Sequence, residues 1–167
     1  MRRRRPERPG REPLDPADPA GARLLALRLL NRRDYAAREL IERLLERGVA
    51  GEVAESVVER LVAERLVDDS RFAGHFVDWQ AGRGQGPVRI AMELRERGVA
   101  GEVIEAAVAS RDGRWREACR QLRRRRFGEA APEDYKERAR QARFLQYRGF
   151  SADQVRAALG NDIELDE

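Results

Sequence analysis

The residues in this sequence best suited to chemistry are arginines, and the densest group lies in the last third of the chain. Residues 111–126 contain eight arginines and two acidic residues, a net charge of +6. Guanidinium groups bind phosphates and carboxylates, so a row of them suits a polyanion or an acidic protein surface. A solvated helix face is the alternative explanation. At helical spacing, four of these arginines fall together, away from an apolar face: Arg116, Arg120, Arg123 and Arg124.

The other residue types offer little for catalysis. His75 is the only histidine, and no cysteine or second histidine lies at ligand spacing from it, so no metal is expected. Cys119 falls on an apolar face and is predicted to pack rather than to attack substrates. Residues 84–86 (Gly-Gln-Gly) lack the preceding strand and the following Gly-Lys-Ser/Thr of a phosphate-binding loop, so they are predicted to end a helix before Pro87. We therefore predict a protein that is not an enzyme and holds no cofactor.

Helices must position these side chains, because a sequence motif that joins two helices recurs along the chain. Glu-Arg-Gly-Val-Ala-Gly-Glu-Val occupies residues 46–53 and again 96–103, and a looser copy occupies 148–155. Repetition at a fixed period of this length indicates tandem structural units. In each copy an apolar stripe at helical spacing leads to a glycine that suits the left-handed end of a helix. These turn glycines are Gly48, Gly98 and Gly149.

The sequence predicts an all-α fold of three tandem three-helix units in an elongated array, whose curvature it leaves open. The predicted units are residues 21–66, 67–111 and 112–160. A unit of about fifty residues buries too little surface to be very stable alone, so neighbouring units are expected to stack. Residues 1–20 are rich in arginine and proline and are predicted to be a disordered basic tail. Residues 161–167 form an acidic tail.

Local patterns give further expectations about helix ends and burial. Asp34 is predicted to cap the second helix, and Asp68 or Asp69 the fourth. Pro132 is predicted to start the eighth. Apolar residues predicted to face the interior include Leu24, Val62, Leu66, Val67 and Trp79.

Composition limits the class of protein. No apolar run approaches the roughly 20 residues that span a membrane, and one cysteine fits a reducing compartment, so a cytoplasmic protein is expected. The net charge of +4 is uneven: residues 1–12 carry +4, whereas residues 21–110 carry 14 arginines and 15 acidic residues. The basic tail either contacts a polyanion or serves solubility.

Helix-turn-helix units can read DNA through their last helix, but the charges here oppose that role. In the first two units the outward positions of that helix are mostly acidic, and only Arg60 and Arg65 oppose them. Carboxylates at these positions repel phosphates and remove the electrostatic part of DNA affinity. These units are therefore predicted to bind protein or to serve as structure. The acidic residues are Glu52, Glu55, Glu59, Glu64, Glu102 and Glu105.

Four ordered motifs lie between about Ala22 and Gly160. They are Asn31-Arg32-Arg33-Asp34-Tyr35 leading into Glu39-Leu40; Leu66-Val67-Asp68-Asp69-x-Arg71-Phe72-Ala73; Gly84-x-Gly86-Pro87-x-Arg89 with Glu93-Leu94-x-x-Arg97-Gly98-Val99; and Phe144-Leu145-x-x-Arg148-Gly149-Phe150. In this order and spacing they resemble the RecX family of recombination regulators. The resemblance implies three three-helix units that bind the RecA recombinase and its filament on single-stranded DNA, usually restraining it. It does not cover either tail.

The resemblance implies that the arginines contact a binding partner. A second cluster beside the first turn between helices is a candidate partner contact, with capping and local packing as the alternative: Arg32, Arg33, Tyr35 and Arg38. The row at 116–124 would contact an acidic groove of RecA or DNA inside the filament. The implied function is modulation, most often inhibition, of RecA in recombination, repair and the SOS response by a monomer. Two alternatives stay open: a nucleic-acid-binding accessory protein acting through the tail and the arginine-rich helix, and a helical scaffold with an unrelated partner.

Overall fold

The computed structural model describes residues 15–160, and this part of the chain contains nine α-helices and no strand. The helices pack mainly within consecutive triplets, which we name unit 1 (α1–α3), unit 2 (α4–α6) and unit 3 (α7–α9). The predicted all-α fold of three-helix units is therefore confirmed. The helices are α1 Pro19–Leu30, α2 Ala37–Leu45, α3 Gly51–Ala63, α4 Asp69–Gly82, α5 Pro87–Glu96, α6 Gly101–Ala109, α7 Asp112–Phe127, α8 Tyr135–Tyr147 and α9 Ala152–Leu159.

Residues 1–14 and 161–167, which hold most of the predicted basic tail and the whole acidic tail, lie outside the described part. The basic tail was predicted to reach residue 20, but α1 already begins at Pro19. The side chain of Asp18 accepts hydrogen bonds from the N–H groups of Ala20 and Gly21, and these bonds fix the start of the helix. None of the helices within residues 15–160 has the length and apolarity needed to cross a bilayer.

The repeated sequence motif forms the turn between the second and third helices of each unit. Gly48, Gly98 and Gly149 have φ angles of +87°, +78° and +89°, the left-handed conformation that glycine adopts without steric cost. The next residue is apolar and buried in every unit, and its N–H donates to a carbonyl five residues earlier, as from Val99 to Leu94 at 3.1 Å. This bond closes the helix end and directs the apolar side chain into the core.

The core is divided unequally among the units. One apolar cluster lies within α1–α3 and is completed by Val67 from the start of unit 2. The other runs without interruption through α4–α9, and Ala36 of unit 1 joins it. Units 2 and 3 therefore share one core, as expected for three-helix units that are too small to be stable alone.

Two of the three turn glycines also form the joints between units. A Cβ atom on Gly98 would lie 2.2 Å from Cδ and 2.6 Å from Cβ of Arg38, which is in the first turn of α2. A Cβ atom on Gly149 would lie 2.3 Å from Cβ of Arg89, which is in the first turn of α5. In both joints, the start of the second helix of one unit rests on the glycine turn of the following unit. No described atom outside its immediate neighbours comes within 4 Å of the equivalent position on Gly48.

Backbone hydrogen bonds reinforce the joint between units 2 and 3. The N–H of Gly86 donates to the carbonyl of Arg148 at 2.8 Å, and that of Val88 donates to Gly149 at 3.0 Å. Arg148 returns a bond from Nε to the carbonyl of Gly84 at 3.0 Å. Hydrogen bonds and ion pairs within residues 15–160 connect unit 1 to unit 2 and unit 2 to unit 3, but none connects unit 1 to unit 3. The units therefore follow one another in a row.

Two predicted helix starts were wrong. Asp34 does not cap α2, because this helix begins later, at Ala37. The N–H of Ala37 donates to Oδ1 of Asp69 at 2.8 Å. The carboxylate of Asp34 instead lies 3.2 Å from Nδ1 of His75. Pro132 does not start α8, because the carboxylate of Asp134 accepts the N–H of Glu137 at 2.7 Å and places the start at Tyr135. Asp68 caps α4 as predicted.

Several apolar residues predicted to be interior lie on the surface instead. A helix in so small a unit is covered on one side only, so the outer positions of an apolar helix stay exposed, and Leu66 lies in the loop after α3. Gln80 takes a buried position beside Trp79, and its Nε2 donates to the carboxylate of Glu93 at 2.6 Å. Val67 is buried as predicted. The exposed residues are Leu24, Val62, Leu66 and Trp79.

Candidate functional site

Helix α7 presents a row of arginines on the surface of unit 3. Its inner face buries Trp115 and Cys119, and α7 packs against α9. Arg116, Arg120 and Arg124 recur every four residues and are exposed. With a rise of about 1.5 Å per residue, the three Cα atoms span about 12 Å along the helix. We name these three residues the arginine row.

The carboxylate partners of the arginine row are exposed and hold it weakly. Nε of Arg124 lies 3.2 Å from Glu129, and Nη1 of Arg120 lies 3.8 Å from Glu117. Nε of Arg120 also donates to the carbonyl of Ala157 at 3.4 Å. Exposed ion pairs of this kind contribute little free energy. The guanidinium groups are therefore available to an anionic partner.

Arg123 was predicted to belong to the same row, and this prediction was wrong. Its side chain is buried, and Nε lies 3.3 Å from Oε1 of Gln141. Its Nη2 donates to the carbonyls of Gly128, Glu129 and Ala130, just beyond the end of α7. On a helical wheel Arg123 lies at the border between the outward and apolar faces, and its flexible stem reaches inward. The side chain donates to the free carbonyls of the α7–α8 loop and does not lie on the exposed face with Arg120 and Arg124.

In the second predicted cluster, Arg33 and Tyr35 contact each other and the protein interior. The guanidinium of Arg33 lies 3.7 Å from the centroid of the Tyr35 ring, and its Nη2 lies 2.6 Å from Oε1 of Glu39. Hydrogen bonding to the Glu39 carboxylate raises the pKa of Arg33 above its ordinary value. Tyr35 and Glu39 are both buried, so local packing accounts for Tyr35, whereas the Arg33 side chain is 45% exposed and stays accessible to a partner.

Arg32 and Arg38, the other two members of that cluster, lie on the surface as Arg33 does. Arg32 is exposed and forms no ion pair within residues 15–160. Nε of Arg38 lies 3.4 Å from Glu42, and its stem covers Gly98. This cluster lies at the joint between units 1 and 2, whereas the arginine row belongs to unit 3, so the two predicted sites do not form one.

Unit 3 carries the net positive charge of the described chain. Residues 112–160 contain 13 basic and seven acidic side chains, a net charge of +6, whereas residues 21–110 carry −1. Sequence reasoning missed part of this charge, on α8 and α9. Each of these arginines adjoins an alanine in the sequence, a signal that the sequence contained: Arg138, Arg143 and Arg156.

The residues considered for chemistry have structural explanations. Burial raises the pKa of the Cys119 thiol to about 12, so it is not a nucleophile near neutral pH. Gly86 lies so close to unit 3 that a Cβ atom on it would be 2.3 Å from the Gly149 carbonyl. The glycine-rich segment therefore docks against backbone. Across residues 15–160, no three side chains of the metal-binding types converge.

Comparison with known proteins gives the same division of the chain. The family models for the first, second and third three-helix domains of RecX match residues 22–61, 68–108 and 115–159. The structure is similar to the crystal structure of RecX from Lactobacillus salivarius, with a TM-score of 0.73 and 18% identity over 84% of this chain and 93% of that one. At this identity the likeness shows the fold.

Relatives with higher identity bear the name Regulatory protein RecX. That of Halorhodospira halophila (strain DSM 244 / SL1) is 50% identical over 142 residues, which cover 85% of this chain and 88% of the relative. That of Xanthomonas axonopodis pv. citri (strain 306) is 44% identical over 139 residues, covering 83% and 86%. Since all three domains match in order and these relatives align along most of their length, the chain belongs to the RecX family.

Proposed function

We propose that this protein binds the filament that the RecA recombinase forms on single-stranded DNA and limits its growth or activity. Membership of a family whose members are named regulatory proteins supports a regulatory role. The observation that carries the proposal is the arginine row on unit 3, at one end of a row of three units. An exposed row of guanidinium groups suits an anionic surface on or within the filament.

The distribution of charge suggests which units contact protein and which unit attracts an anionic surface. The outward positions of α3 and α6 are acidic and exposed, as at Glu55 and Glu105, which disfavours contact with DNA phosphates. We propose that units 1 and 2 contact protein, while unit 3 supplies electrostatic attraction. Because the units are connected in one chain, several weak contacts add up through effective concentration.

We also propose that the protein acts by binding alone, as a monomer in the cytoplasm. Two observations support this proposal: burial raises the pKa of the Cys119 thiol, and no three side chains of the metal-binding types converge within residues 15–160. A binding protein lodged along a filament restrains it by occupying the surface that growth or turnover needs. Such a role requires no cofactor.

The test is the rate of ATP hydrolysis by RecA on single-stranded DNA with substoichiometric and equimolar amounts of this protein. We expect the rate and the mean filament length to fall as the protein is added. The double variant Arg120→Glu, Arg124→Glu should inhibit ATP hydrolysis less than the wild-type protein does. The matched control is Arg28→Glu, Arg60→Glu, which changes the net charge equally on exposed sites of unit 1. Unchanged hydrolysis and filament length with the wild-type protein would reject the proposal.

The second candidate is an accessory protein that binds nucleic acid directly, and the charge of +6 on residues 112–160 favours it. Deletion of residues 1–14 leaves α1 intact, since this helix begins at Pro19. The second candidate predicts tight binding to bare single-stranded DNA without RecA, and weaker binding after the deletion. The proposed function predicts that filaments are bound far more tightly than bare DNA.

A further inference from the structure

A groove of about 460 Å³ lies between α8 and α9 of unit 3, and no residue of α7 lines it. Its floor is apolar and includes the buried Val155 and Leu159 and the half-buried Ala142. On α8 its lining extends from Tyr135 to Gln146, about 16 Å at the rise of an α-helix. Three arginines line its edges: Arg138, Arg143 and Arg156.

The same groove recurs in unit 2, between α5 and α6, with a volume of about 220 Å³. Its apolar floor residues occupy the same places in the repeat: Ala91, Ile104 and Val108. Its edges differ, because Glu105 takes the place of Arg156. Pro87 and Met92 take the places of the other two arginines. The apolar floor is therefore a property of the repeat, whereas the basic edges are particular to unit 3 and are not needed for the fold.

The basic edges of the unit 3 groove are largely uncompensated. Arg156 pairs with Asp153, but Arg138 and Arg143 form no ion pair with any residue in the described range 15–160. No acidic residue of the described chain is among those that line the groove. Such guanidinium groups attract carboxylates that approach the groove. The edges therefore favour an occupant with negative charge on both sides of an apolar stripe.

We propose that this groove binds an acidic amphipathic α-helix of a partner protein. A helix laid between two others packs its apolar stripe onto the floor, as the helices of a four-helix bundle pack together. The groove takes about eleven residues of such a helix, or three turns. Apolar side chains at i, i+4 and i+7 then contact the floor. Carboxylates on the flanking positions lie within reach of the long arginine side chains.

A nucleic acid fits this groove less well than a helix does. Its phosphates would pair with the arginines, but its backbone offers nothing apolar to cover Val155 and Leu159. Its bases would stack best on aromatic side chains. One aromatic residue, Tyr135, is among those that line the groove, and it lies at one end. An acidic amphipathic helix uses both the floor and the edges, so it is the occupant that the geometry favours.

The test is the binding of a synthetic peptide of about 14 residues, with leucines at helical spacing and glutamates on both sides of the leucine stripe. The full-length protein is titrated into the fluorescent peptide, and anisotropy gives the Kd. We expect this acidic peptide to bind at least about tenfold more tightly than a peptide with lysines in place of the glutamates. The same margin is expected over a peptide with serines in place of the leucines. The assay contains neither RecA nor DNA, so its outcome is independent of the proposed function.

Amide NMR of the full-length protein locates the bound peptide. We expect saturable shift changes at Ala142, Val155 and Leu159, which form the floor of the unit 3 groove. Ala91 and Ile104, in the equivalent groove of unit 2, should keep their shifts, because Glu105 and Asp112 at its edges repel carboxylates. Shift changes of equal size in both grooves would contradict the selection by charge.

Substitutions at the edges test the contribution of charge. Arg138→Glu with Arg143→Glu should weaken binding of the acidic peptide at least about tenfold and strengthen binding of the lysine peptide. The matched control, Arg114→Glu with Arg125→Glu, makes the same change of charge on exposed sites of α7 and should lose much less affinity. Equal losses for the two variants, or equal affinities of the three peptides for the wild type, would overturn the proposal.

Two other occupants would be revealed by the same spectra. Shifts of the groove amides produced by oligothymidylate, with none produced by the acidic peptide, would assign the edges to nucleic acid. Shifts of the groove amides that depend on protein concentration without any peptide would assign the groove to a second copy of this chain. Either result would overturn the proposal.

Discussion

Arg38 of α2 fills the space in which a side chain on Gly98 would lie, so that a Cβ atom there would be 2.2 Å from Cδ of the arginine. Gly149 and Arg89 repeat the relationship one unit further along the chain. The turn glycine therefore has two functions. It ends a helix in the left-handed conformation, and it admits the preceding unit to close contact.

The two functions of the turn glycine can be measured separately. Gly48→Ala introduces only the backbone cost, about 1–2 kcal/mol, because no described atom crowds that position. Gly98→Ala should cost at least about 1 kcal/mol more, since Arg38 must also move. Urea denaturation gives both free energies of unfolding. Equal losses for the two variants would contradict the joint described here.

The sequence predicted the units because their signals are local. A glycine after an apolar helical stripe, repeated at a fixed period, identifies the turn without knowledge of its neighbours. It did not predict the joints, because Arg38 and Gly98 are sixty residues apart and the glycine already had a sufficient local explanation. The exposure of Leu24 and Trp79 was missed for the same reason: it depends on which side of a helix another element covers.

The candidate site was predicted in part. Helical spacing placed Arg116, Arg120 and Arg124 correctly on the surface. Spacing gives the direction of a side chain but not its reach, so it misplaced Arg123, whose stem bends into the loop after α7. Tyr35 was expected beside a turn and available to a partner, but it is buried under the guanidinium of Arg33.

Arg123 should matter for stability and not for binding. Arg123→Ala leaves the carbonyls after α7 without their charged donor and should lower the free energy of unfolding by about 2–3 kcal/mol. The adjacent Arg124→Ala removes an exposed ion pair and should change it by less than about 0.5 kcal/mol. Thermal and urea denaturation of the two variants give the comparison. A stable Arg123→Ala variant would show that its hydrogen bonds are dispensable.

Cys119 should resist thiol reagents in the folded protein. Its pKa is about 12 instead of the ordinary 9.0, which lowers the thiolate fraction at pH 8 by about 1,000-fold. Labelling by an aromatic disulfide reagent should therefore be slow in buffer and rapid in denaturant. Fast labelling of the native protein would mean that α7 does not pack against its neighbours as described.

The same thiol makes stability depend on alkaline pH. Because its pKa is raised on folding, its contribution to stability is complete below the ordinary value of 9.0 and is lost as the pH rises from there toward 12. Between these values the wild type should lose stability more steeply than Cys119→Ala, which has no thiol to ionise. Parallel pH profiles of the two proteins in urea denaturation would contradict this.

The central claim, that unit 3 supplies the cationic contact with a RecA filament, is tested most directly by equilibrium binding to filaments at several salt concentrations. We predict that Arg120→Glu, Arg124→Glu weakens binding at least about tenfold and flattens its salt dependence, with helicity unchanged. Arg28→Glu, Arg60→Glu, which makes the same change of charge outside unit 3, should lose much less affinity and keep the salt dependence of the wild type. Equal affinity of all three proteins, or no binding by any of them, would contradict the account.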